Sequence, residues 1–356
     1  MAKNNKSMIA AKINKNDEFY TRLSTIEEEI SMHMDYVRQF YGKTVLCNCD
    51  DPEWSNFFLF FRNHFEQLRL KKVIFTHYEP DGKPSYKLEW DGSYLGYDTL
   101  NLVRTPLEGN GDFRSPECVA LLDECDIVVT NPPFSLFREF VQLILDHGKD
   151  FVIIGNMNAC TTKDIFPLMK EGKINAGYSF NAAILFAVPD HYRYDEKETA
   201  KINDGKHYGK VPGIAWYTTL KLDKYNEEIP LTAQYEGHED EYPKYDNYDA
   251  IEVNSPRRIP RDYDGVMGVF GPSFFNVFNK EQFEVVGVSD AESPMRKWIY
   301  TGWIGYNPDG TKTGRTGSTL GSTPVIVREN PNGVYYEKDG VKVQGVNARV
   351  FIRRKK

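Results

Sequence analysis

Asp126-Ile127-Val128-Val129-Thr130-Asn131-Pro132-Pro133-Phe134-Ser135-Leu136-Phe137 is the stretch that decides the fold. An apolar, β-branched run, Ile127 to Thr130, stops against two prolines that cannot continue a hydrogen-bonded ladder. The spacing of apolar residues from Leu136 to Leu145 predicts a helix directly after it, with Ser135 as N-cap. A strand, a turn and a helix in that order belong to an open α/β sheet, where ligands bind at the carboxyl ends of strands. The turn presents there the Asn131 amide, the Pro132 and Pro133 carbonyls and the Phe134 ring. An amide oxygen beside a carbonyl oxygen can accept both hydrogens of an exocyclic amine, and an aromatic ring can stack on a flat heterocycle. The stretch describes a pocket for an amino group on a planar ring, such as N6 of adenine. Asn-Pro and Pro-Pro also form ordinary tight turns, and the four residues alone are compatible with no more than that.

Outward from this point the chain alternates β runs with helical patterns. Thr44 to Cys49 and Val73 to Thr76 read as strands, with a helix near Ile26 to Phe40 before them. Asp51-Pro52-Glu53 reads as a helix start with Asp51 as cap, the helix running to about Leu68 with an aromatic face toward the core. Tyr86 to Trp90 and Tyr94 to Tyr97 flank Asp91-Gly92, a hairpin signal. Ser115-Pro116-Glu117 opens another helix, and Thr162 to Glu171 a further one. Phe151 to Ile154, Ile184 to Val188 and Ile214 to Leu220 read as the remaining strands. This predicts an α/β, Rossmann-like doubly wound domain over 1–222. From 223 to 356 tyrosines, prolines, acids and glycines crowd, with short β segments near Pro324, Gly333 and Arg349. That texture predicts an appended loop-rich α+β module, or an extension of the first domain carrying long loops.

Composition sets bounds. The chain has 356 residues, 40% of them hydrophobic, enough for a core, and a net charge of −7. The charge is unevenly placed: lysines without acids before Asp17, acids from Asp223 to Asp249, and Arg349, Arg353, Arg354, Lys355 and Lys356 at the end. Such polarity suits a protein that meets a polyanion at some surfaces; it also fits a solvated surface with frayed basic ends. Arg257, Arg258 and Arg261 read equally as phosphate contacts or as surface charge. The five cysteines lack Cys-x-x-Cys spacing and read as free thiols of a reducing compartment. No leader-like or bilayer-length apolar segment is visible, so the cytoplasm is the default expectation. No feature demands a protein partner, and the sequence is compatible with a monomer.

The Asn-Pro-Pro-Phe turn resembles motif IV of the amino-methyltransferases, which act on adenine N6, cytosine N4 or a protein glutamine amide. No Gly-x-Gly follows the first strand; Cys47-Asn48-Cys49-Asp50-Asp51-Pro52 stands there instead. With Asp17 to Thr21, Ser55-Asn56-Phe57-Phe58, Gly111-Asp112-Phe113-Arg114-Ser115, Pro243 to Ile251 and Gly265 to Val269, these blocks make the chain similar to the EcoRI-type adenine-specific DNA modification methylases. The resemblance implies S-adenosylmethionine as donor and double-stranded DNA as partner, with the target adenine flipped out. It implies a restriction–modification, phage or orphan setting. Donor contacts are implied at Phe19, Tyr20, Thr21, Asn48, Asp50, Asp51, Asp112 and Phe113, and catalysis at Asn131, Pro132, Pro133 and Phe134. Tyr78 or Glu79 is expected at the donor ribose, and Phe186 is a candidate second wall or a core residue. Arg257, Arg258, Arg261, Arg353 and Arg354 are the expected DNA contacts, in a C-terminal region from 223 that chooses the target. RNA adenine and protein glutamine methylases carry the same class of turn, and a DNA-binding module that has lost catalysis is the reading from another class.

Overall fold

The computed structural model describes residues 20–49, 52–53, 55–96, 99–180, 185–187, 199–201, 207–210, 213–290, 293, 296–298 and 300–355. Two compact units account for them. One holds the described residues to Met157 and from Lys173 to Leu222; the other holds Asn158–Gly172 and the described residues from Asp223. The segment expected as the helix Thr162 to Glu171 of the first domain therefore belongs with the second unit. Only Phe166–Lys170 of it is α-helical.

The first unit is built on one eight-stranded sheet. Its strands are β1 Thr44–Cys47, β2 Lys72–Thr76, β3 Tyr86–Trp90, β4 Val103–Pro106, β5 Ile127–Thr130, β6 Asp150–Asn156, β7 Asn175–Ala176 and β8 Ile214–Thr218. Their order is β4-β3-β2-β1-β5-β6-β8-β7. β2, β1, β5 and β6 are parallel, and the flanking strands are antiparallel. β1 and β5 are buried throughout, as expected of central parallel strands covered on both faces. Three helices supply the crossovers: α1 Asn56–His64, α2 Pro116–Glu124 and α3 Phe137–Asp146. α3 buries Phe137, Phe140, Val141 and Ile144, the i, i+3, i+4, i+7 stripe of an amphipathic helix. This is the α/β, Rossmann-like architecture that the alternation predicted.

Several local expectations are corrected. Asp51 lies outside the described residues, and the cap of α1 is Ser55, whose Oγ accepts from the Phe57 amide at 3.0 Å. Ser135 sits in a 3-10 turn, Phe134–Leu136, and caps nothing by side chain. The expected helix from Ile26 to Phe40 is broken at His33, whose backbone is extended; a π-helical turn, Glu27–Ser31, precedes the break. Tyr86–Trp90 pairs with Val103–Pro106 rather than with residues after Asp91-Gly92. Asp91 instead takes up the Ser93 amide and hydroxyl, and Trp90 donates to the Ser93 carbonyl, which closes a local turn before a hairpin can form. Leu185–Ala187 is not in the main sheet; it belongs to a second sheet with Tyr20–Thr21, Thr199–Lys201 and His207–Lys210.

The second unit has two sheets. Ile251–Val253, Met267–Phe270, Arg349–Arg354 and Phe283–Val288 form one, in that order. Lys312–Thr316, Ile304–Tyr306, Tyr335–Lys338, Val341–Gly345 and Val325–Val327 form the other. The basic ending is thus not a frayed end: Arg349–Arg354 is an interior strand of its sheet. Arg349 is buried, its guanidinium donating to both Glu252 oxygens, with Nη2 at 2.6 Å and Nε at 3.0 Å. Tyr245 donates its hydroxyl to the same carboxylate, and burial with that negative charge pushes the phenol well above its ordinary range.

Removing one partner of a buried pair strands the other charge, which typically costs ~3–5 kcal/mol. Arg349→Met is expected to lower stability on that scale in chemical denaturation. Arg349→Met combined with Glu252→Gln should recover part of the loss. A single variant as stable as the parent would show that Glu252 is solvated or neutral in the fold.

Candidate functional site

Parallel strands that start together finish together. Leu46 lies opposite Ile74 on one side and Val128 on the other, and Thr130 lies opposite Ile153. The segments after β1, β2 and β5 therefore leave the sheet along one edge. Asn48 follows β1, His77 to Glu79 follow β2, and Asn131 to Phe134 follow β5.

Asn131 is half-buried, with its side-chain oxygen shielded from solvent, and Pro132 is buried beside it. Phe134 is partly exposed and opens the 3-10 turn that runs into α3. The chain turns here because neither proline offers an amide hydrogen to β1 or β6. Acceptors and a ring end up side by side at a strand's carboxyl end.

Asn48 is buried next to Cys49, whose thiol donates to the Asn48 side-chain oxygen at 3.7 Å. The N-terminus of α1 comes next. Asn56, the first residue of that helix, donates its side-chain amide to the Thr21 carbonyl at 2.7 Å. That bond brings the N-terminal block to the first strand's exit, although more than thirty residues separate the two in sequence. Thr21 is buried, and its Oγ1 has no hydrogen-bond partner among the described residues. Tyr20 is the strand partner of Ala187, and Thr21 of Phe186. Phe19, Asp50 and Asp51 lie outside the described residues.

The loop with Asp112 is knitted to the exit of β2. The Glu79 amide donates to the Asn110 carbonyl at 2.8 Å, and Ser85 Oγ donates to the His77 carbonyl at 2.6 Å. Gly111 has φ +80, and a Cβ there would stand 2.0 Å from the His77 carbonyl oxygen. Asp112 itself is engaged by Arg114, through Nη2 at 2.7 Å and Nε at 2.9 Å. Arg114's hydrogen bonds hold the Asp112 carboxyl below the usual carboxylate range. Arg114 also reaches Glu139 of α3 at 3.4 Å, which ties the Asp112 loop to the helix behind the Asn131 turn. Phe113 points inward and packs edge-on against Phe140, with ring centroids 5.0 Å apart. It is buried at the base of the Asp112 loop.

Two clefts border these elements. One, of about 470 Å³, runs along the N-terminus of α1 between Ser55, Phe58, Leu88 and Leu102. The other, of about 510 Å³, lies at the exit of β2 between His77, Glu79, Ser85 and Tyr86. Arg104 separates them, paired with Glu53 at 3.1 Å and stacked 3.6 Å over the Tyr86 ring. Tyr78 is exposed and Glu79 half-buried at the same exit. Asn56 was part of a sequence block without a role of its own, and the pairing of Glu53 with Arg104 carries no sequence signal, because it joins residues 51 apart in the chain.

The expected DNA contacts all fall in the second unit. Arg257 and Arg261 are exposed. Arg258 pairs with Glu241, Arg353 with Glu284 at 3.7 Å and Arg354 with Asp264 at 2.9 Å. All five cysteines are free thiols, and burial pushes Cys125 up to about 12, which removes it from nucleophilic chemistry. Among the described residues no helix is long and apolar enough to cross a membrane.

Residues 7–355 match the family described as adenine-specific methyltransferase EcoRI. The Type II methyltransferase M.MpnI of Mycoplasma pneumoniae is 42% identical over 278 residues, covering 78% of this chain and 83% of the relative. M.EcoRI of Escherichia coli is 42% identical over 299 residues, 80% of this chain and 90% of the relative. M.MgeORF184P of Mycoplasma genitalium is 40% identical over 278 residues, with 78% and 84% covered. No solved structure matches the chain significantly.

Gly111→Ala forces the His77 carbonyl and the Asp112 loop apart and places alanine at positive φ. A melting temperature several degrees lower is expected, from the loss of ~1–3 kcal/mol typical of a residue forced into a strained backbone. Unchanged melting would mean that the two loops are not held in contact.

Proposed function

The chain belongs to the EcoRI family of adenine-specific methyltransferases, and from that premise we propose that it moves a methyl group from S-adenosylmethionine to N6 of an adenine flipped out of duplex DNA. The observation that carries this reading is the Asn131-Pro132-Pro133-Phe134 turn at the carboxyl end of β5, beside the exits of β1 and β2.

The residues present fit the donor. Thr21 offers a buried hydroxyl with no partner among the described residues, and Asn48 a buried amide. The α1 N-terminus offers backbone N–H groups. Tyr20, Thr21, Asn48 and Asp112 are our candidates for holding it, together with Phe19, Asp50 and Asp51, which lie outside the described residues. Asp112 would do so in company with Arg114. Phe113 serves by packing under that loop. When bound, S-adenosylmethionine supplies an electrophilic methyl group on sulfur.

The lone pair of adenine N6 is conjugated into the ring and is a poor nucleophile. The Asn131 side-chain oxygen and the Pro132 carbonyl accept its two hydrogens, which draws the nitrogen toward tetrahedral geometry and frees the lone pair. Pro133 keeps the turn rigid, and Phe134 stacks on the base. N6 would form its bond to the methyl carbon as that carbon's bond to the donor sulfur breaks, the sulfur leaving as a neutral thioether, and N6 would afterwards release one proton to solvent, so no strong base is required. Preorganised dipoles and positioning carry the rate. A paired adenine cannot enter such a turn, so the base must leave the stack. The second unit chooses the DNA in this reading. Arg257 and Arg261 are exposed, while Arg258, Arg353 and Arg354 would have to share their charge with carboxylate partners.

Tritiated donor offered with duplex DNA, RNA and protein side by side tests the reading. Label is expected in duplex DNA, at adenine N6. Label in RNA or protein alone would replace it. Asn131→Ala removes one of two acceptors and is expected to lower the single-turnover rate by ~10²–10³, the usual effect of losing one preorganised contact. Donor affinity should stay as in the parent. A rate equal to the parent's would remove Asn131 from the chemistry.

Arg257→Gln with Arg261→Gln is expected to weaken binding to cognate and scrambled duplexes alike. The slope of log affinity against log salt should fall by up to ~0.9 per lost phosphate contact. If both salt curves are unmoved, these arginines do not touch DNA.

A further inference from the structure

Glu29 is fully buried, on the π-helical turn Glu27–Ser31. A π turn inserts one extra residue into a helix and is commonly found at functional sites. Both carboxylate oxygens are occupied. Oε1 accepts from the Tyr178 amide at 2.8 Å and from the Tyr36 hydroxyl at 3.1 Å, and Oε2 accepts from the Ser179 amide at 2.8 Å. The approach leaves no room for a side chain at the preceding position. A Cβ on Gly177 would stand 2.3 Å from Glu29 Oε1 and 2.6 Å from the Trp216 Cβ.

The rest of the segment is held as firmly. Tyr178 stacks on His33 with centroids 3.5 Å apart and planes 4° from parallel, and its hydroxyl donates to Asp35 at 2.6 Å. Phe180 is buried against the Tyr217 ring at 5.2 Å. Residues 177–180 are thus fastened to the helical segment that begins just after Thr21.

Two strands lie beyond this clamp, one on each side. Upstream of Glu29 is Tyr20–Thr21; downstream of Phe180 is Leu185–Ala187; and the two pair, Thr21 opposite Phe186. One carboxylate therefore ties together the two chain segments whose pairing sets where Thr21 stands. Asn56 at the α1 N-terminus holds the Thr21 carbonyl from the other side. An apolar side chain would fill the Glu29 position without the desolvation that burying a carboxylate entails.

We propose that Glu29 is a positioning residue for the donor end of the site, acting through the Gly177–Phe180 segment on the Thr21 strand. The inference rests on the reading that Thr21 meets the donor. It requires that loosening the clamp damages donor binding selectively, whereas a purely structural carboxylate would change stability alone.

The test compares Glu29→Ala, Glu29→Gln, Tyr36→Phe and Thr21→Val in the full chain. Calorimetric titration with S-adenosylmethionine, DNA affinity and single-turnover methylation at saturating donor are measured, with thermal melting beside them. Glu29→Ala is expected to raise the donor Kd about tenfold or more, the scale of one lost hydrogen bond to a charged group. Duplex affinity should not change, and saturating donor should restore the single-turnover rate to within about threefold of the parent. Glu29→Gln keeps the shape and one acceptor, and Tyr36→Phe removes a single bond; both should shift donor Kd the same way by less. If Glu29→Ala does not fold, these two milder variants decide. Parent donor affinity in folded Glu29→Gln and Tyr36→Phe overturns the proposal, as does a rate defect that saturating donor cannot restore. Thr21→Val separates the two levels. Unchanged donor affinity there removes the underlying reading and the inference with it; a weakened Thr21→Val beside parent-like Glu29 variants removes the inference alone.

Discussion

The shared exit edge of the parallel strands is the constraint from which the first unit follows. A parallel pair cannot be closed by a tight turn, so the chain must return over a face of the sheet between strands. Each return leaves from the same edge, and each departing loop adds residues to one place. The stagger is set at the opposite end, where Asp126 accepts from the Thr44 amide at 2.8 Å and pairs with Lys43 at 3.5 Å. The first residue of β1 is thereby fixed against the residue preceding β5. With that end locked, the position of Asn131 relative to Asn48 follows from strand length. Pro132 and Pro133 ensure that β5 does not run on.

Polar contacts hold the loops along that edge, beside the packing of Phe113 on Phe140. Glu117 of α2 accepts from the Glu108 and Gly109 amides at 2.8 Å and 2.7 Å, placing a carboxylate where backbone donors would otherwise be lost. Arg114 joins Asp112 to Glu139. The folded Asp112 carboxyl titrates below its unfolded value, so its contribution is in full force above the ordinary carboxylate pKa. It is lost only as acid carries the pH down through the depressed value. At neutral pH this part of the edge stays tied. The Arg114 side chain is substantially exposed, so the gain from the pair is modest.

In the second unit charge is used differently. Glu252, Arg349 and Tyr245 form a buried polar cluster whose members satisfy one another. The chain end is held by its place between Met267–Phe270 and Phe283–Val288. Its outward cations meet Glu284 and Asp264. A net charge of −7 and a basic ending are compatible because much of that basic charge is matched locally. The surfaces with unmatched cations are then the informative ones.

Residue pattern alone determined that four central strands alternate with helices and that the β5 strand ends at Asn131. The composition of a buried parallel strand, and the inability of proline to donate, are local properties that need no partner to be legible. The Ser115 cap of α2 was legible for the same reason. What tertiary structure decided are the pairings between distant segments. These include Thr21 held by Asn56, Asp112 taken by Arg114, Phe113 turned into the core, Leu185–Ala187 assigned to the small sheet, and Glu29 closed over the Gly177 turn. In sequence Glu29 is one of three consecutive glutamates, and nothing marks it until the π turn and residues 177–179 meet. A carboxylate's partner is chosen by which backbone donors the fold leaves without one, and that depends on contacts up to 150 residues apart.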